Sequence, residues 1–355
     1  KGNRFIPNLN EAEPNNRLQE DLMMLIQQSD KDVLSLAFGF EMWEDFKQFI
    51  NENGGIKEET PQNYKDVVNG KTYQKDGKTL RWNGNVISPF DASSKIYNCK
   101  GNKYKCKNTG KYFNVKTDTM FDNTKMELQK WFLAIWIVTS HKKGISSLQL
   151  GRDLNITQKS AWFMLQRIRN CFGIENDNEL DNEVEADETY VGGKNKNRHA
   201  DKKAIASQGR SAKDKTPVVG MVERNGKLNA NVVDNVGSAT LTREIVANVK
   251  ESASLYTDEW LGYKGVSRIY DHSIVKHNQG QYVNGRVHTN TIEGFWSLLK
   301  RGIFGIYHFT SKKHLQMYVD EFVFRYNTRD TTSAMRFNLL LANTQNRLTY
   351  KELIA

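Results

Sequence analysis

The sequence contains few cysteines, and Cys99, Cys106 and Cys171 are the only three among 355 residues. An odd, sparse set does not suit a disulfide framework, so it favours a reducing, intracellular compartment. No run of 18 apolar residues occurs, which argues against a membrane-spanning helix. The residues from Lys1 to Ile6 do not follow the charged-then-apolar order of a signal peptide. With 38% hydrophobic residues, the length favours a globular protein of two or three domains.

Positive charge is unevenly spread along the chain. The formal net charge is +10, but residues 1–60 contain 6 Lys and Arg against 12 Asp and Glu. The remaining residues therefore carry about sixteen net positive charges. A strongly basic segment of this length favours binding to nucleic acid, because cationic side chains neutralise phosphates and release counterions. A soluble basic enzyme with no nucleic-acid partner is the alternative that charge alone leaves open.

A β-prone region with turn signals contains two sites that resemble the knuckles of a zinc ribbon. A zinc ribbon has a Cys-x-x-Cys pair in each knuckle, which together supply four tetrahedral ligands. Here Ser88 and Asp91 occupy the first knuckle, and Cys106 and Thr109 the second. Hydroxyl groups are poor zinc ligands, and Cys99 is the one candidate substitute. We therefore expect a degenerate ribbon without structural Zn²⁺, held by aromatic side chains.

From residue 128 onwards, the apolar residues recur with the period of an α-helix. Apolar spacing predicts helices at 128–138, 146–154 and 158–172, with Thr157 as the N-cap of the last one. A short helix, a tight turn and a longer helix form the helix-turn-helix pattern, whose last helix can enter the major groove. An ordinary helical hairpin is the alternative. The groups on the last helix that are predicted to contact phosphates or base edges are Gln158, Lys159, Gln166, Arg167 and Arg169.

The second half of the chain alternates between strands and helices. Strands are predicted at 183–192, 217–224, 228–233 and 254–257, and a helix at 240–249. Three consecutive strands, a helix and a further strand are the opening of a ribonuclease-H-like fold. The loop after the first strand is rich in glycine and lysine, and Lys194 and Lys196 in it are predicted to follow DNA phosphates. A solvated surface loop is the alternative.

Three acidic residues, Asp187, Asp258 and Glu293, come from three separate elements of this predicted fold. Carboxylate oxygens suit Mg²⁺ or Mn²⁺, and two such ions a few ångströms apart can drive phosphoryl transfer. We therefore predict one pocket in which these acids are both catalytic residues and metal ligands. By composition alone, Glu185, Glu188 and Glu259 compete for the same roles.

The helix after Asn290 has a geometry that can be tested. At about 100° per residue, one narrow arc is suited to packing on the sheet, and it consists of Ile292, Phe295, Trp296 and Leu299. Glu293 and Lys300 share the neighbouring stripe, so Lys300 could meet phosphate charge or pair with Glu293. Arg301 adds a further DNA contact. His288 and Asn290 are candidates for supporting the site, with capping and loop hydrogen bonds as the alternative.

Several ordered motifs resemble the ISXO-like insertion-sequence transposases, a group related to the eukaryotic Merlin elements. The similarity covers roughly residues 88 to 330. Its motifs are Asp187–Lys194, Thr216–Arg224, Tyr256–Trp260 and His288–Arg301, with further similarity at 142–150 and 321–329. The resemblance implies a ribonuclease-H-like core with a DDE triad, which transfers onto Asp187, Asp258 and Glu293. It also implies movement of an element that has terminal inverted repeats.

These observations predict an α/β protein with a ribonuclease-H-like catalytic core. The predicted segments are an acidic helical domain (1–60), a β-rich degenerate zinc-ribbon-like region (61–120), a helix-turn-helix region (121–175), the DDE catalytic domain (180–330) and a C-terminal tail (331–355). The predicted function is a DNA transposase that cleaves and transfers strands at inverted repeats, as a homodimer or larger assembly. It would act in the cytoplasm or nucleoid of a bacterium or in a eukaryotic nucleus. A host-adopted DNA-binding protein and a nuclease without joining activity are the alternatives.

Overall fold

The computed structural model describes residues 85–101, 103–192, 215–275, 283 and 285–355. The predicted acidic domain (1–60) and the loop with Lys194 and Lys196 lie outside the described residues. Within the described residues, no helix is both long and apolar enough to cross a membrane. Mixed strands and helices make this an α/β protein, as predicted.

The strands and helices are numbered here in chain order. The strands are β1 (Ile96–Cys99), β2 (Lys103–Cys106), β3 (Tyr112–Phe113), β4 (Glu183–Val191), β5 (Thr216–Glu223), β6 (Leu228–Val232), β7 (Ser254–Asp258) and β8 (Asp271–Val275). The α-helices are α1 (Leu128–Ser140), α2 (Ser147–Asp153), α3 (Gln158–Arg169), α4 (Ser238–Asn248), α5 (Asn290–Gly302), α6 (Leu315–Asn327), α7 (Ser333–Ala342) and α8 (Tyr350–Ile354). Shorter helical turns are Phe172–Glu175, Leu261–Arg268, Ile303–Tyr307 and Lys312–His314.

The chain divides into two compact units. The first consists of the described residues up to Ser140 together with Ser147–Ile168 and Thr332–Ala355, and the second of His141–Ser146 and Arg169–Thr331. The first unit includes α3 up to Ile168, whereas the predicted helix-turn-helix region extends to residue 175. Helices α7 and α8, which lie in the predicted C-terminal tail, also belong to the first unit.

In the first unit, β1, β2 and β3 form a three-stranded antiparallel sheet in that order. Its small core consists of Tyr104, Cys106 and Phe113, and the rings of Tyr104 and Phe113 are 5.5 Å apart. The register pairs Ile96 with Cys106 and Cys99 with Lys103. The two cysteines therefore lie at opposite ends of the hairpin, so the expectation that Cys99 could replace a missing ligand is wrong.

Helices α1, α2 and α3 begin within one residue of their predicted starts. Thr157 caps α3 as predicted, because its hydroxyl accepts a hydrogen bond from the backbone N–H of Ser160 (3.3 Å). Asn155, in the turn before it, has a φ of 49°, a left-handed conformation that asparagine tolerates better than most residues. The C-terminal helix α7 packs on α1 through Phe337 and Trp136, whose ring centroids are 5.9 Å apart.

The second unit is built on a five-stranded sheet with the order β6-β5-β4-β7-β8. Strands β4, β5 and β6 are antiparallel neighbours, whereas β7 runs parallel to both β4 and β8. Side chains alternate along β5, so Val219 packs in a core with α4 and Val218 in a core with α5 and α6. The sheet is therefore covered by helices on both faces.

Candidate active site

The first predicted acid, Asp187, lies on the central strand β4. Successive residues of a strand face opposite sides, so Glu185 and Asp187 share a face while Val184 and Ala186 point into the α4 core. The face with Asp187 is covered by α5, because Trp296 of that helix donates a hydrogen bond from Nε1 to Asp187 Oδ2 (3.0 Å). Asp187 is half-buried at this edge of the sheet.

The second predicted acid, Asp258, is the last residue of β7 and is buried. The parallel register pairs Glu185 with Tyr256. Asp187 and Asp258 each lie two residues beyond this pair, so the alternation of side chains places both on the same face of the sheet. Burial, followed by the charges of Glu188 and Asp258, raises the pKa of Asp187 to about 7. The two aspartates therefore interact electrostatically.

The third predicted acid, Glu293, is in the first turn of α5. The predicted packing arc of this helix is confirmed, because Ile292, Phe295, Trp296 and Leu299 are all buried. Glu293 is exposed, and its Oε1 accepts a hydrogen bond from the hydroxyl of Thr289 (3.1 Å). It lies three residues, or about one turn, before the tryptophan that contacts Asp187.

The structure thus brings two of the three acids together. Within the described part of the chain, no three His, Cys, Asp or Glu side chains are arranged to hold a metal ion. Asp187 and Asp258 nevertheless fit a divalent cation, because hard oxygen donors suit Mg²⁺ and Mn²⁺. Their mutual repulsion, which contributes to the raised pKa of Asp187, is what a bound cation would relieve.

A glycine opposite Asp187 makes the tryptophan contact possible. Gly220 on β5 is the register partner of Asp187. A Cβ at this position would lie 2.6 Å from Cη2 of Trp296 and 2.9 Å from Cδ1 of Ile292. Any larger residue would therefore push the indole away from the sheet. The sequence gives one signal for this contact, a glycine inside a predicted strand, which often marks a close approach.

The competing acids Glu185 and Glu188 are engaged elsewhere. Glu185 is fully buried, and it accepts hydrogen bonds from the backbone N–H groups of Thr291 (2.8 Å) and Ile292 (3.1 Å). Glu188 faces the opposite side of the sheet, where it accepts a hydrogen bond from the Tyr263 hydroxyl (2.9 Å). Glu185 is therefore engaged at the start of α5, although it shares a face with Asp187, and Glu188 lies on the other face of the sheet.

The residues before α5 support Glu185 and lie next to it. His288 Nδ1 lies 3.0 Å from Glu185 Oε1, and the His288 carbonyl accepts a hydrogen bond from Arg224 Nη2 (3.0 Å). Asn290 is the first residue of α5 and is exposed. Of these two candidates, His288 therefore packs against the start of the helix, in line with the capping alternative.

Lys300 lies on the same helix, two turns after Glu293, and is half-buried. Burial lowers its pKa, while the charge of Asp187 acts in the opposite direction and Lys215 adds to the lowering. Lys300 is therefore close enough to Asp187 for their charges to interact. Arg301 is exposed and donates from Nε to the Ser297 carbonyl (3.1 Å).

Three of the predicted DNA contacts on α3 are wrong, because their side chains are buried. Arg167 donates hydrogen bonds to the carbonyls of Leu348 (2.8 Å), Met120 (2.8 Å) and Asp122 (2.9 Å). Gln166 is 1% exposed, and Arg169 is 2% exposed. By contrast, Gln158 and Lys159 at the start of α3 are exposed.

Arg169 instead belongs to a buried ion network in the second unit. Its Nε lies 2.6 Å from Glu321 Oε2, and Arg325 Nη2 lies 2.7 Å from Glu321 Oε1. The guanidinium group also stacks over Tyr318, with its carbon 4.1 Å from the ring centroid. Helical spacing could have indicated this, because Arg169 follows buried Leu165 by four residues and so shares its face.

Comparison with known proteins is consistent with the motifs. Residues 179–327 match the ISXO2-like transposase domain family. A curated relative from Halobacterium salinarum, described as an uncharacterized protein in transposable element ISH50, is 28% identical over 259 residues. That match covers 69% of this chain and 87% of the relative. The predicted resemblance to ISXO-like insertion-sequence transposases is therefore confirmed.

Two solved structures also align with the chain. They are the Mos1 strand transfer complex, with a TM-score of 0.25 and 10% identity, and a pre-cleavage Mos1 transpososome, with a TM-score of 0.21 and 12% identity. The alignments cover 96% and 95% of this chain, and 96% and 100% of the respective structures. TM-scores this low do not define a common fold.

Proposed function

We propose that this chain, which carries an ISXO2-like transposase domain at residues 179–327, is a DNA transposase that cleaves and rejoins strands at the ends of a mobile element. The observation that carries the proposal is that Asp187 and Asp258 lie on adjacent parallel strands and are close enough for their charges to interact. The helix that bears Glu293 is docked on the same face through the bond from Trp296 to Asp187. The catalytic residues are proposed to be Asp187, Asp258 and Glu293.

The topology of the second unit supports a ribonuclease-H-like core. If its five strands are numbered by their order in the chain, from β4 to β8, their order across the sheet is 3-2-1-4-5. The first three are antiparallel, the fourth runs parallel to the first, and helices cover both faces. The first and fourth strands are neighbours, so an acid near the end of each one reaches the same edge. This is the placement that the family resemblance implies for the first two acids.

Asp187 and Asp258 would hold divalent cations such as Mg²⁺ or Mn²⁺, and Glu293 is the third acid that the resemblance assigns. Such ions, two in the proposed site, lower the pKa of an attacking water or hydroxyl and stabilise the oxygen that leaves. Trp296 occupies one oxygen of Asp187 and so fixes the orientation of the other. Lys300 lies within electrostatic reach of Asp187 and is placed to meet phosphate charge.

Two phosphoryl transfers at this site account for cutting and joining. In the first, a water oxygen attacks a phosphorus at the element end, and the bond to the 3′ oxygen breaks, which leaves a 3′-hydroxyl. In the second, that hydroxyl loses its proton and attacks a phosphorus of target DNA. The bond from this phosphorus to a target 3′ oxygen breaks, and the leaving oxygen takes up a proton. Each transfer breaks one phosphodiester linkage at phosphorus and forms one new bond to it.

Two groups of residues, one in each unit, are proposed to contact DNA. Gln158 and Lys159 lie at the start of α3, where a helix-turn-helix would read the major groove. Lys300 and Arg301 belong to a stretch, residues 294–319, that contains no Asp or Glu. An acid-free basic stretch next to the acids suits a phosphate backbone. Two element ends must be held together, so we propose that the protein acts as a dimer or larger assembly.

A DNA-binding protein without cleavage activity is the second candidate. The exposed position of Glu293 and its hydrogen bond to Thr289 favour it, because the third acid does not reach the other two in this structure. The intact acids themselves favour the enzyme. DNA binding would be common to both candidates, whereas nicking would occur only with the enzyme.

The test is to incubate the protein with labelled DNA from the flanks of its own gene and Mg²⁺. The expected result is nicked ends and, with added target DNA, joined products. Asp187→Asn should abolish both products and leave DNA binding nearly intact. Asp271→Asn, which changes an exposed carboxylate of the same sheet, is the matched control and should remain active. Binding without nicking by the wild-type protein would overturn the enzyme, and nicking without joining would identify a nuclease.

A further inference from the structure

The N-terminus of α5 is capped by a strand residue that is far away in the sequence. A helix begins with N–H groups that lack partners within the helix. The usual solution is a side chain at the N-cap, but Thr289 makes no such hydrogen bond here. Instead Glu185, on β4, accepts from the N–H groups of Thr291 (2.8 Å) and Ile292 (3.1 Å), and from the Thr291 hydroxyl (2.9 Å).

Arg224, which follows β5, extends this contact to the segment before the helix. Its Nε lies 2.8 Å from Glu185 Oε1. Its two terminal nitrogens donate to the carbonyls of Arg286 (2.6 Å) and His288 (3.0 Å). The guanidinium group also stacks on Tyr256 of β7, with its carbon 4.6 Å from the ring centroid. One ion pair thus connects three strands of the sheet to the start of α5.

Capping by Glu185 and Arg224 is a more costly solution than the N–H groups of α5 require. A local Ser, Asp or Asn at the N-cap would satisfy the same N–H groups without burying a charge. A fully buried carboxylate carries a large desolvation cost even when it is paired. What the local cap would not provide is a connection between α5 and β4. Glu185 precedes Asp187 by two residues on one face of β4, so this connection fixes the Glu293 helix relative to Asp187.

We propose that Glu185 is a positioning residue, which sets the place of the Glu293 helix against the strand that carries Asp187. The proposal rests on the proposed function for its effect on catalysis. Its structural part is independent of that function. Without the Glu185 carboxylate, the first turn of α5 would lose its bonds to β4, while Trp296 one turn later, core packing and the bonds of Arg224 to the preceding carbonyls would remain. Glu293 lies in the turn that would lose those bonds.

The structural part is tested by hydrogen exchange in the full chain without metal or DNA. Glu185→Gln should speed amide exchange in the first turn of α5 at least about tenfold, while β4 and β5 remain protected. Glu321→Gln is the matched control, because it also neutralises a fully buried, arginine-paired carboxylate in the same unit. The control should leave the first turn of α5 unchanged. Equal exchange in wild type and Glu185→Gln would overturn the proposal.

The catalytic part is tested by moving the carboxylate. Glu185→Gln should lower the cleavage rate at saturating DNA about 100-fold, with the Kd for end DNA within about twofold. The double variant Glu185→Gln/Asn290→Asp returns the negative charge to the first residue of α5 without the connection to β4. It should regain thermal stability and exchange protection without regaining turnover.

Recovery of turnover in the double variant would show that Glu185 is only a cap, and would overturn the positioning role. A selective rise in the KM for DNA with unchanged turnover would overturn it as well. If wild-type protein cleaves no end DNA, the proposed function fails, and the hydrogen-exchange comparison still decides whether Glu185 fixes the helix. The two proposals therefore fail in different measurements.

Discussion

Asp187 is a residue whose loss should make the metal-free protein more stable. Burial and the carboxylates of Glu188 and Asp258 raise its pKa to about 7, against an ordinary value of 3.8. Between those pH values the folded protein holds a proton that the unfolded chain has released. The folding stability must therefore fall as the pH rises through this window. Asp187→Asn removes the charge and keeps an oxygen that can accept the Trp296 hydrogen bond.

The size of the effect follows from the shift. A difference of about three pKa units corresponds to about 4 kcal/mol as an upper limit. Asp187 is half-buried, so solvent screening reduces this to about 1–3 kcal/mol. At pH 8 without metal, Asp187→Asn should therefore be about 1–3 kcal/mol more stable than wild type. At pH 4 Asp187 is protonated in the folded protein and about 40% protonated in the unfolded chain, so the difference should shrink to about 0.5 kcal/mol, and it should disappear at still lower pH.

Urea unfolding at pH 4 and pH 8 in the presence of a chelator measures the difference. Adding Mg²⁺ at pH 8 should then stabilise the wild type, because a ligand of the folded state shifts the equilibrium towards it. It should stabilise Asp187→Asn much less. Asp271→Asn, the exposed control, should change the free energy of unfolding by less than about 0.5 kcal/mol. A variant that is less stable than wild type at pH 8, or a gain that is equal at both pH values, would refute the reasoning.

Three further substitutions, Gly220→Ala, Glu321→Gln and Arg167→Met, test the packing, and Gly294→Ala and Lys159→Ala are comparison variants. Gly220→Ala should lower the free energy of unfolding by about 1–3 kcal/mol and change the fluorescence of Trp296. The control is Gly294→Ala, whose added Cβ has no atom within 4 Å. It should be neutral or stabilise α5 by up to about 1 kcal/mol. Glu321→Gln should lower the free energy of unfolding by about 3–5 kcal/mol near neutral pH. Burial raises the pKa of Glu321, but its arginine partners lower it to about 2. The destabilisation should therefore shrink as the pH falls from 4.5 towards 2. Arg167→Met should lower the melting temperature, whereas Lys159→Ala should leave it unchanged and weaken duplex binding in gel-shift titrations.

Periodicity predicts the local part of this site well. A helix that must pack on a sheet needs its apolar residues on one arc, and this requirement alone identifies the buried face of α5. The strand that holds Asp187 and the strand that ends at Asp258 are recognisable for the same reason. Their adjacency follows once the strand order is assumed. These features depend on residues close together in the sequence, which is why spacing is sufficient for them.

The long-range contacts could not be predicted in this way. Nothing in the spacing indicates that Glu185 caps a helix 106 residues later, because a carboxylate on a strand is equally compatible with a metal, an ion pair or solvent. For Arg167 and Arg169, by contrast, the sequence suggested a role in DNA binding, and both side chains are buried. A positive charge on an amphipathic helix suggests DNA, but the burial of each guanidinium depends on partners, such as Leu348 and Glu321, that the helix itself does not specify.

The position of Glu293 can be understood from these same contacts. Glu185 holds the first turn of α5, Trp296 holds the second, and Gly220 provides the space that the indole needs. The helix backbone is therefore fixed on the face of the sheet that carries Asp187, and we predict that Glu293 approaches the two aspartates by a change of its side-chain rotamer, which would break its bond to Thr289. A rotamer change of an exposed side chain costs far less than moving a packed helix. Charge repulsion among three carboxylates opposes that change without a cation, whereas the attraction of a bound cation for the third carboxylate favours it, so closure of the triad would follow the binding of metal.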